Sequence, residues 1–367
     1  MARKLASDRV LFVAVVLLVA MGLLMIYSAS AMQIYLPSAG APSFPYLFLV
    51  KQAIAVVLGA GLAFGALLVD YRRLNSAALV GAGLALVVLS LVAVLFRAPI
   101  NGTRRWIDLG ALSIQPSEFA KLGLVVALAA LLARREGEIE HPTRTLLPVA
   151  GLLVLLSGLV LLQPDFGTAM TYFTIAAAML YFAGLRLRWF LGTALLMIPT
   201  LSAYILSASY RRDRIFAFLH PEADPLGKGF QSLQSLIAVG TGGLTGLGLG
   251  EGKQKLFFLP YPYTDFIFAI VGEELGFVGC AFVLALFGLV FARGIRAAVG
   301  APDLFGRLLG VGLAVMIVSQ ALVNISVVLA LLPTKGIPLP FLSYGGSALW
   351  TNLLAVGILL NLSQHAS

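Results

Sequence analysis

Long runs of apolar residues constrain this chain more than any other feature of its sequence. Each run is close to the length that a helix rising ~1.5 Å per residue needs to cross ~30 Å of hydrocarbon. The composition agrees, because 60% of the 367 residues are hydrophobic and only 11% are charged. A soluble domain carries about 25% charged residues. The sequence therefore predicts an integral membrane protein and excludes an ordinary globular one.

Ten apolar runs predict ten transmembrane helices, and hence an all-α polytopic fold. We expect residues 1–367 to form a single transmembrane domain. Because the number of spans is even, both termini should lie on the same side of the membrane. The runs lie near residues 10–31, 46–69, 76–96, 117–133, 146–163, 168–184, 190–209, 265–292, 304–331 and 344–362.

The distribution of Lys and Arg predicts which side the termini occupy, since cytoplasmic loops are enriched in these residues. With the termini inside, the inner segments hold thirteen basic residues and the short outer loops hold four: Arg97, Arg104, Arg105 and Lys335. Both termini are therefore expected in the cytoplasm. The same bias accounts for the net charge of +9, so that charge does not indicate a nucleic-acid partner.

One connection, residues 210–264 between the seventh and eighth predicted helices, is a long extracytoplasmic loop. Loops of this length are usually functional or disordered, and its many Phe, Leu, Tyr and Gly residues argue against disorder. Two interpretations of its basic residues stay open: long outer loops escape the charge bias, or these side chains bind an anionic group. They are Arg211, Arg212, Arg214, Lys228, Lys253 and Lys255.

Part of this loop, residues 240–252, has seven glycines in thirteen residues. A phosphate-binding loop would need a preceding strand and a following helix, and neither is predicted, so a nucleotide site is excluded. Glycine's backbone freedom instead suits a flexible or tightly folded turn that lets the backbone approach a ligand. The three histidines are scattered without the spacing of metal ligands, so no residues are assigned to a metal.

Two charged residues fall inside the fourth predicted helix. Glu118 and Lys121 are three residues apart and therefore lie on one helix face. An ionised group deep in a bilayer costs about 2.5–3.5 kcal/mol, and pairing or a polar cavity is the usual remedy. Either the two side chains reach the membrane interface, or they line an internal polar cavity.

Two aspartates stand at predicted helix starts, where a carboxylate can accept hydrogen bonds from free backbone N–H groups. For Asp165, helix capping and a polar role in a site remain equal alternatives. For Asp265, which ends the long basic loop, we favour a chemical role over capping. Glu273 and Glu274 follow within the same predicted helix and are expected in a polar network.

Nine sequence motifs, in the same order along most of the chain, resemble the SEDS family of shape, elongation, division and sporulation proteins. Two of them, residues 272–276 and 332–346, together with residues 234–240, resemble FtsW more than RodA. The motifs are NGTRRWI (101–107), QPSEFAK (115–121), QPDFGT (163–168), YRRDR (210–214), DPLGKGFQ (224–231), QK (254–255), TDFIFA (264–269), GEELG (272–276) and LPTKGIPLPFLSYGG (332–346).

The resemblance implies a peptidoglycan glycosyltransferase of the bacterial inner membrane. Such a protein joins lipid II to a lipid-linked glycan by a β-1,4 bond on the outer face. It works with a class B penicillin-binding protein and other membrane proteins of the divisome or elongasome. By motif position, Asp265 matches the family's essential aspartate. Other matches are Glu118, Lys121 and Asp165 to its buried polar residues, and Arg105 and Lys335 to its outward-facing basic ones.

The implied reaction turns an α-linked pyrophosphate into a β bond, so it inverts the anomeric carbon. Inverting glycosyl hydrolysis uses an acid and a base. Pyrophosphate is already a good leaving group, so positive charge can replace the acid. We therefore expect Asp265 as the base. Substrate is then bound by Arg105, Arg212, Lys253, Lys255 and Lys335.

The sequence requires no cofactor for this reaction, although it leaves room for a divalent cation such as Mg²⁺ or Mn²⁺ on the pyrophosphate. The rival function is a transporter that flips lipid II across the membrane. A flippase should concentrate its charge near the midplane, whereas this chain concentrates charge in the outer loop. A third possible function, a noncatalytic scaffold for division proteins, would give Asp265 no chemical role.

Overall fold

The computed structural model describes residues 7–30, 46–98, 103–108, 113–207, 212, 218, 229–256, 258–334 and 336–366. These residues form eleven α-helices and one short antiparallel hairpin, Ile107–Asp108 with Ser113–Ile114. The helices are α1 (Arg9–Ser30), α2 (Leu47–Leu68), α3 (Ala77–Leu95), α4 (Pro116–Ala133), α5 (Leu147–Leu161), α6 (Phe166–Phe182), α7 (Leu187–Leu206), α8 (Phe230–Gly242), α9 (Ile267–Val299), α10 (Leu304–Val328) and α11 (Gly346–His365).

The predicted all-α polytopic fold is confirmed, and each of the ten apolar runs corresponds to a helix. In the described residues, eight helical stretches are long and apolar enough to cross a membrane, and α6 and part of α7 are shorter apolar helices. Two spans occupy the centre of the bundle, since 83% of an 18-residue stretch of α11 and 72% of one in α10 are buried, against 17% of one in α3. Glycine permits the closest contact: a Cβ on Gly357 of α11 would collide with the backbone of Ala63 on α2.

Polar contacts between connecting segments define the two ends of the bundle. At one end, Asp8 pairs with Arg293 at 2.7 Å, and its backbone N–H donates to Ser363. Also at that end, Tyr71 donates to Asp303 at 2.5 Å. We call it the termini end. The segments around residues 105, 163, 265 and 343 meet at the opposite end, which we call the Asp265 end. The alternation of spans expected from the sequence is therefore present.

The long loop contains a helix that sequence patterns did not predict. Helix α8 packs beside the first part of α9 and leads into the glycine-rich turn at residues 243–250. This turn meets α9 at residues 273–278, which are about 9–16 Å along the helix from its start. The loop therefore does not stay at the end of the bundle but folds back along α9.

The glycine-rich turn fits into a break in α9. Gly276 has φ +65° and ψ −163°, which interrupts the helix. The carbonyls of Glu273 and Glu274 then accept hydrogen bonds from Leu247 and Gly248 of the turn, at 3.0 and 3.1 Å. A Cβ on Gly242 or Gly246 would collide with the backbone of α9. The glycines thus form the expected tight turn, but the backbone that it approaches closely is that of α9.

Candidate functional site

Asp265 lies two residues before α9, at the edge of a small cavity. The cavity has a volume of about 110 Å³, and Asp265 itself is partly buried. Phe266 occupies the N-cap position of α9, and no side chain accepts a hydrogen bond there. The Asp265 carboxylate is therefore not a helix cap. The cavity is lined by Gln231, Pro260, Tyr261, Thr264, Asp265, Phe266, Thr334 and Gly336.

The backbone around Asp265 is fixed by hydrogen bonds from two other parts of the chain. The side-chain amide of Asn324 on α10 donates to the Asp265 carbonyl at 2.7 Å. The Ser343 hydroxyl donates to the carbonyl of Thr264 at 2.7 Å, and the N–H of Tyr344 donates to Tyr263 at 2.9 Å. The backbone that carries the carboxylate is consequently held beside the cavity.

Burial raises the pKa of Asp265 to about 7 from its usual value near 3.8. Among the nearby charges, Arg105 lowers this pKa and Asp165 raises it. A carboxylate that titrates near neutral pH can accept a proton more readily than an ordinary aspartate. Because the charges of Arg105 and Asp165 act on Asp265, the three residues form one electrostatic cluster at the Asp265 end.

Arg105 and Asp165 form the charged surround of this carboxylate. Arg105 Nη1 lies 3.8 Å from Asp165 Oδ2, and the guanidinium also donates to the carbonyls of Gln163, at 3.0 Å, and Pro164. Asp165 caps α6 by accepting from the N–H and hydroxyl of Thr168, at 3.2 and 2.9 Å. Asp165 thus both caps α6 and belongs to the charged cluster around Asp265. Arg105 remains partly exposed and can receive an anion.

Glu118 and Lys121 form a buried ion pair on α4. Lys121 Nζ lies 2.8 Å from Glu118 Oε2, and each side chain is 3% exposed. Lys121 also donates to the side-chain oxygen of Gln320 on α10. These two residues are therefore buried inside the bundle and neutralise each other there, with Gln320 as a third partner.

Lys255 does not lie where a substrate-binding cation is needed. Its ammonium donates to Ser28 at 2.9 Å, to the Gly250 carbonyl at 2.6 Å and to Glu274 at 2.8 Å. An ammonium has three donors, so all of them are committed to internal partners. Glu273 accepts from the backbone N–H groups of Lys253 and Gln254. Lys255, Glu273 and Glu274 hold the glycine-rich turn on α9.

The remaining predicted substrate-binding residues are distributed differently. Arg212 and Lys253 are exposed, and Lys335 lies outside the described residues. Over the described ranges, no group of three or more His, Cys, Asp or Glu side chains is arranged to hold a metal ion. Among the residues that line the cavity, Asp265 is the carboxylate, and Asp165 is a second carboxylate whose charge acts on it.

Sequence reasoning missed two residues of this end, Gln320 and Asn324. Both lie on the apolar helix α10 and are buried, at 0% and 1% exposure. A signal for them was available, because polar side chains inside a membrane span are costly and usually functional. Their partners lie in distant segments, so their roles required the fold.

Comparison with known proteins finds relatives that match nearly the full length of the chain. The FtsW/RodA/SpoVE family, described as cell cycle proteins, matches residues 8–367. Stage V sporulation protein E of Bacillus subtilis is 43% identical over 369 residues, which cover 99% of each chain. A protein of Trichlorobacter lovleyi named "Probable peptidoglycan glycosyltransferase FtsW" is 42% identical, covering 97% of this chain and 93% of that one.

Two solved structures are similar over almost the full length. One is a chain of a peptidoglycan synthase complex described as coordinating polymerization and crosslinking; it has a TM-score of 0.79 and 35% identity, covering 98% of both chains. The other is the rod shape determining protein RodA of Thermus thermophilus, with a TM-score of 0.70 and 31% identity over 98% of this chain and 97% of that one.

Proposed function

This chain belongs to the FtsW/RodA/SpoVE family of cell cycle proteins, and on that premise we propose how it acts. It is a multi-pass membrane glycosyltransferase that polymerises lipid II into β-1,4-linked glycan strands. The activity agrees with the names of its relatives. The single observation that best supports a site for it is the Asp265 carboxylate, which lies beside a cavity, does not cap its helix and has a pKa of about 7.

In the proposed reaction, Asp265 removes the proton from the attacking sugar hydroxyl of lipid II. That oxygen forms a bond to the anomeric carbon of the lipid-linked glycan, on the face opposite the pyrophosphate. The bond between this carbon and the pyrophosphate oxygen breaks, and lipid pyrophosphate leaves with the electron pair. The configuration therefore inverts from α to β, as in reactions that use one displacement.

Arg105 is proposed to stabilise the negative charge that develops on the leaving pyrophosphate. It is the basic residue whose charge acts on Asp265 in the described structure. Positive charge fixed beside the leaving group stabilises the transition state more than the ground state. Arg212, Lys253 and Lys335 stay candidates for the same anion, whereas Lys255 contributes through the fold. A Mg²⁺ or Mn²⁺ ion is not required in this proposal, and titration of the polymerisation rate with EDTA checks that.

The orientation and partners are also proposals. We place both termini in the cytoplasm and the Asp265 end on the outer face of the bacterial inner membrane, because the short loops at that end hold few basic residues. A transpeptidase of the class B penicillin-binding type is the proposed partner, because one structural relative belongs to a complex of polymerization and crosslinking. Other divisome or elongasome membrane proteins are further proposed partners.

The rival function, flipping of lipid II, is less well supported by the internal charges. The two buried cations inside the described bundle, Lys121 and Lys255, are each paired with a carboxylate at 2.8 Å. Charges neutralised in this way offer little to a pyrophosphate crossing the midplane. Purified protein in vesicles, with and without the transpeptidase, should convert lipid II into glycan strands. Translocation of fluorescent lipid II without any polymer would contradict the proposal.

A further inference from the structure

We propose that Asn324 is a positioning residue that fixes the Asp265 carboxylate against the segment of residues 336–344. The inference rests on the proposed function, since it assigns proton transfer to Asp265. Asn324 lies on α10 with 1% exposure. Its side-chain amide donates to two backbone carbonyls, those of Asp265 and Ile337, each at 2.7 Å.

The orientation of the Asn324 amide follows from its partners. Both partners are carbonyl oxygens, which only accept, so the NH₂ group must face them, and both of its hydrogens are used. The side-chain oxygen of Asn324 is buried and has no hydrogen-bond partner within the described residues. A buried polar atom without a partner disfavours folding. Helix stability alone therefore does not explain an asparagine at this position.

The two carbonyls held by Asn324 belong to Asp265, which lines the cavity, and to Ile337, which follows the cavity-lining Gly336. A Cβ added to Gly336 would lie 3.1 Å from Asp265 Oδ2, so this segment forms the wall beside the carboxylate. Asn324 thus determines the distance between the carboxylate and the wall that confines it. A base must be aligned with the proton that it removes, and a misplacement of about 1 Å can cost about 10²-fold in rate.

Gln320, one helical turn before Asn324, extends the same connection toward the buried ion pair. Its amide nitrogen donates to the Pro338 carbonyl at 2.9 Å, and its oxygen accepts from Lys121. A continuous set of contacts therefore runs from Glu118 and Lys121 through Gln320 to the segment that forms the cavity wall. The ion pair supports the geometry of the site without touching it.

The test compares Asn324→Ala with Asn361→Ala in the purified full chain. Asn361 is a matched control because it is also a buried asparagine, 3% exposed, that joins two segments. It accepts from the N–H of Tyr71 at 3.0 Å and donates to the Leu67 carbonyl at 2.8 Å, at the termini end. We expect Asn324→Ala to lower kcat about 10²-fold, to leave KM for lipid II within about threefold, and to melt no lower than Asn361→Ala.

Hydrogen exchange gives a second readout that does not depend on activity. The N–H groups of Leu339, Ser343 and Tyr344 are hydrogen-bonded within the same structure. Their exchange should accelerate in Asn324→Ala and stay unchanged in Asn361→Ala. Unchanged exchange in Asn324→Ala, or a loss of kcat that Asn361→Ala reproduces, would overturn the positioning role. An active Asp265→Asn protein would instead reject the proposed base while leaving the exchange result intact.

Discussion

The ammonium of Lys255 lies 2.8 Å from the carboxylate of Glu274, and their side chains are 4% and 0% exposed. This ion pair joins the glycine-rich turn to the break in α9, and Ser28 of α1 contacts both residues. A basic residue that the sequence assigned to substrate binding is therefore part of the internal structure. The loop is held in place by charge as well as by backbone packing.

We predict that Lys255→Met destabilises the protein by about 3–5 kcal/mol, because it leaves the Glu274 charge buried without its cation. The double variant Lys255→Met/Glu274→Gln should recover much of that loss, since no unpaired charge remains. Thermal unfolding in detergent measures both. Arg135→Met is the control, because Arg135 and Glu138 form an exposed pair at 3.7 Å, and its loss should cost below about 1 kcal/mol. A double variant as unstable as the single one would contradict the account.

The close packing of α8 on α9 gives a second prediction. Gly242→Ala should destabilise the protein strongly, because its Cβ would collide with the carbonyl of Gly272. Gly240→Ala, two residues earlier on the same helix, meets nothing within 4 Å. Alanine favours a helix over glycine by about 1 kcal/mol, so this control should be neutral or stabilising. Equal melting temperatures for the two variants would show that the end of α8 does not pack closely against α9.

The sequence predicted the spans well because crossing a membrane requires long apolar helices with satisfied backbone groups. It also predicted a structural or chemical role for the charged residues at positions 118, 121, 165, 265, 273 and 274. It could not predict partners, because these lie far apart along the chain: Ser28 and Glu274 are separated by 246 residues. The 13 residues of α8 are too few to cross a bilayer, so hydropathy alone did not reveal that helix.

The proposed orientation can be tested with two single-cysteine variants, each made after Cys280 is replaced by alanine. Ser113 and Thr143 are both exposed; Ser113 precedes α4, and Thr143 lies in the connection that follows it. We expect Ser113→Cys to react with an impermeant thiol reagent in intact spheroplasts, because it belongs to the Asp265 end. Thr143→Cys should react only after lysis. The reverse pattern would place the termini outside.

The pH dependence of polymerisation should report Asp265. Below its pKa of about 7 the carboxyl is protonated and cannot act as a base, so the rate should rise with pH and level off above that value. Asp165→Asn should move the midpoint to lower pH. The variant removes a negative charge that raises the pKa of Asp265 and frees Arg105, which lowers it. Asp70→Asn, at the termini end, should leave the midpoint unchanged; a midpoint that rises in Asp165→Asn would contradict this assignment.

The most direct test of the central claim is the polymerisation rate of Asp265→Asn. Asparagine keeps the size of the side chain but cannot accept the proton, and loss of a general base typically costs about 10²–10⁴-fold in rate. Because the Asp265 side chain does not cap α9, the variant should purify and melt close to the wild-type protein, as Asp70→Asn should. We predict that it forms no detectable glycan from lipid II while still binding its transpeptidase partner. Polymerisation by Asp265→Asn at a rate near that of the wild type would show that Asp265 is not the base.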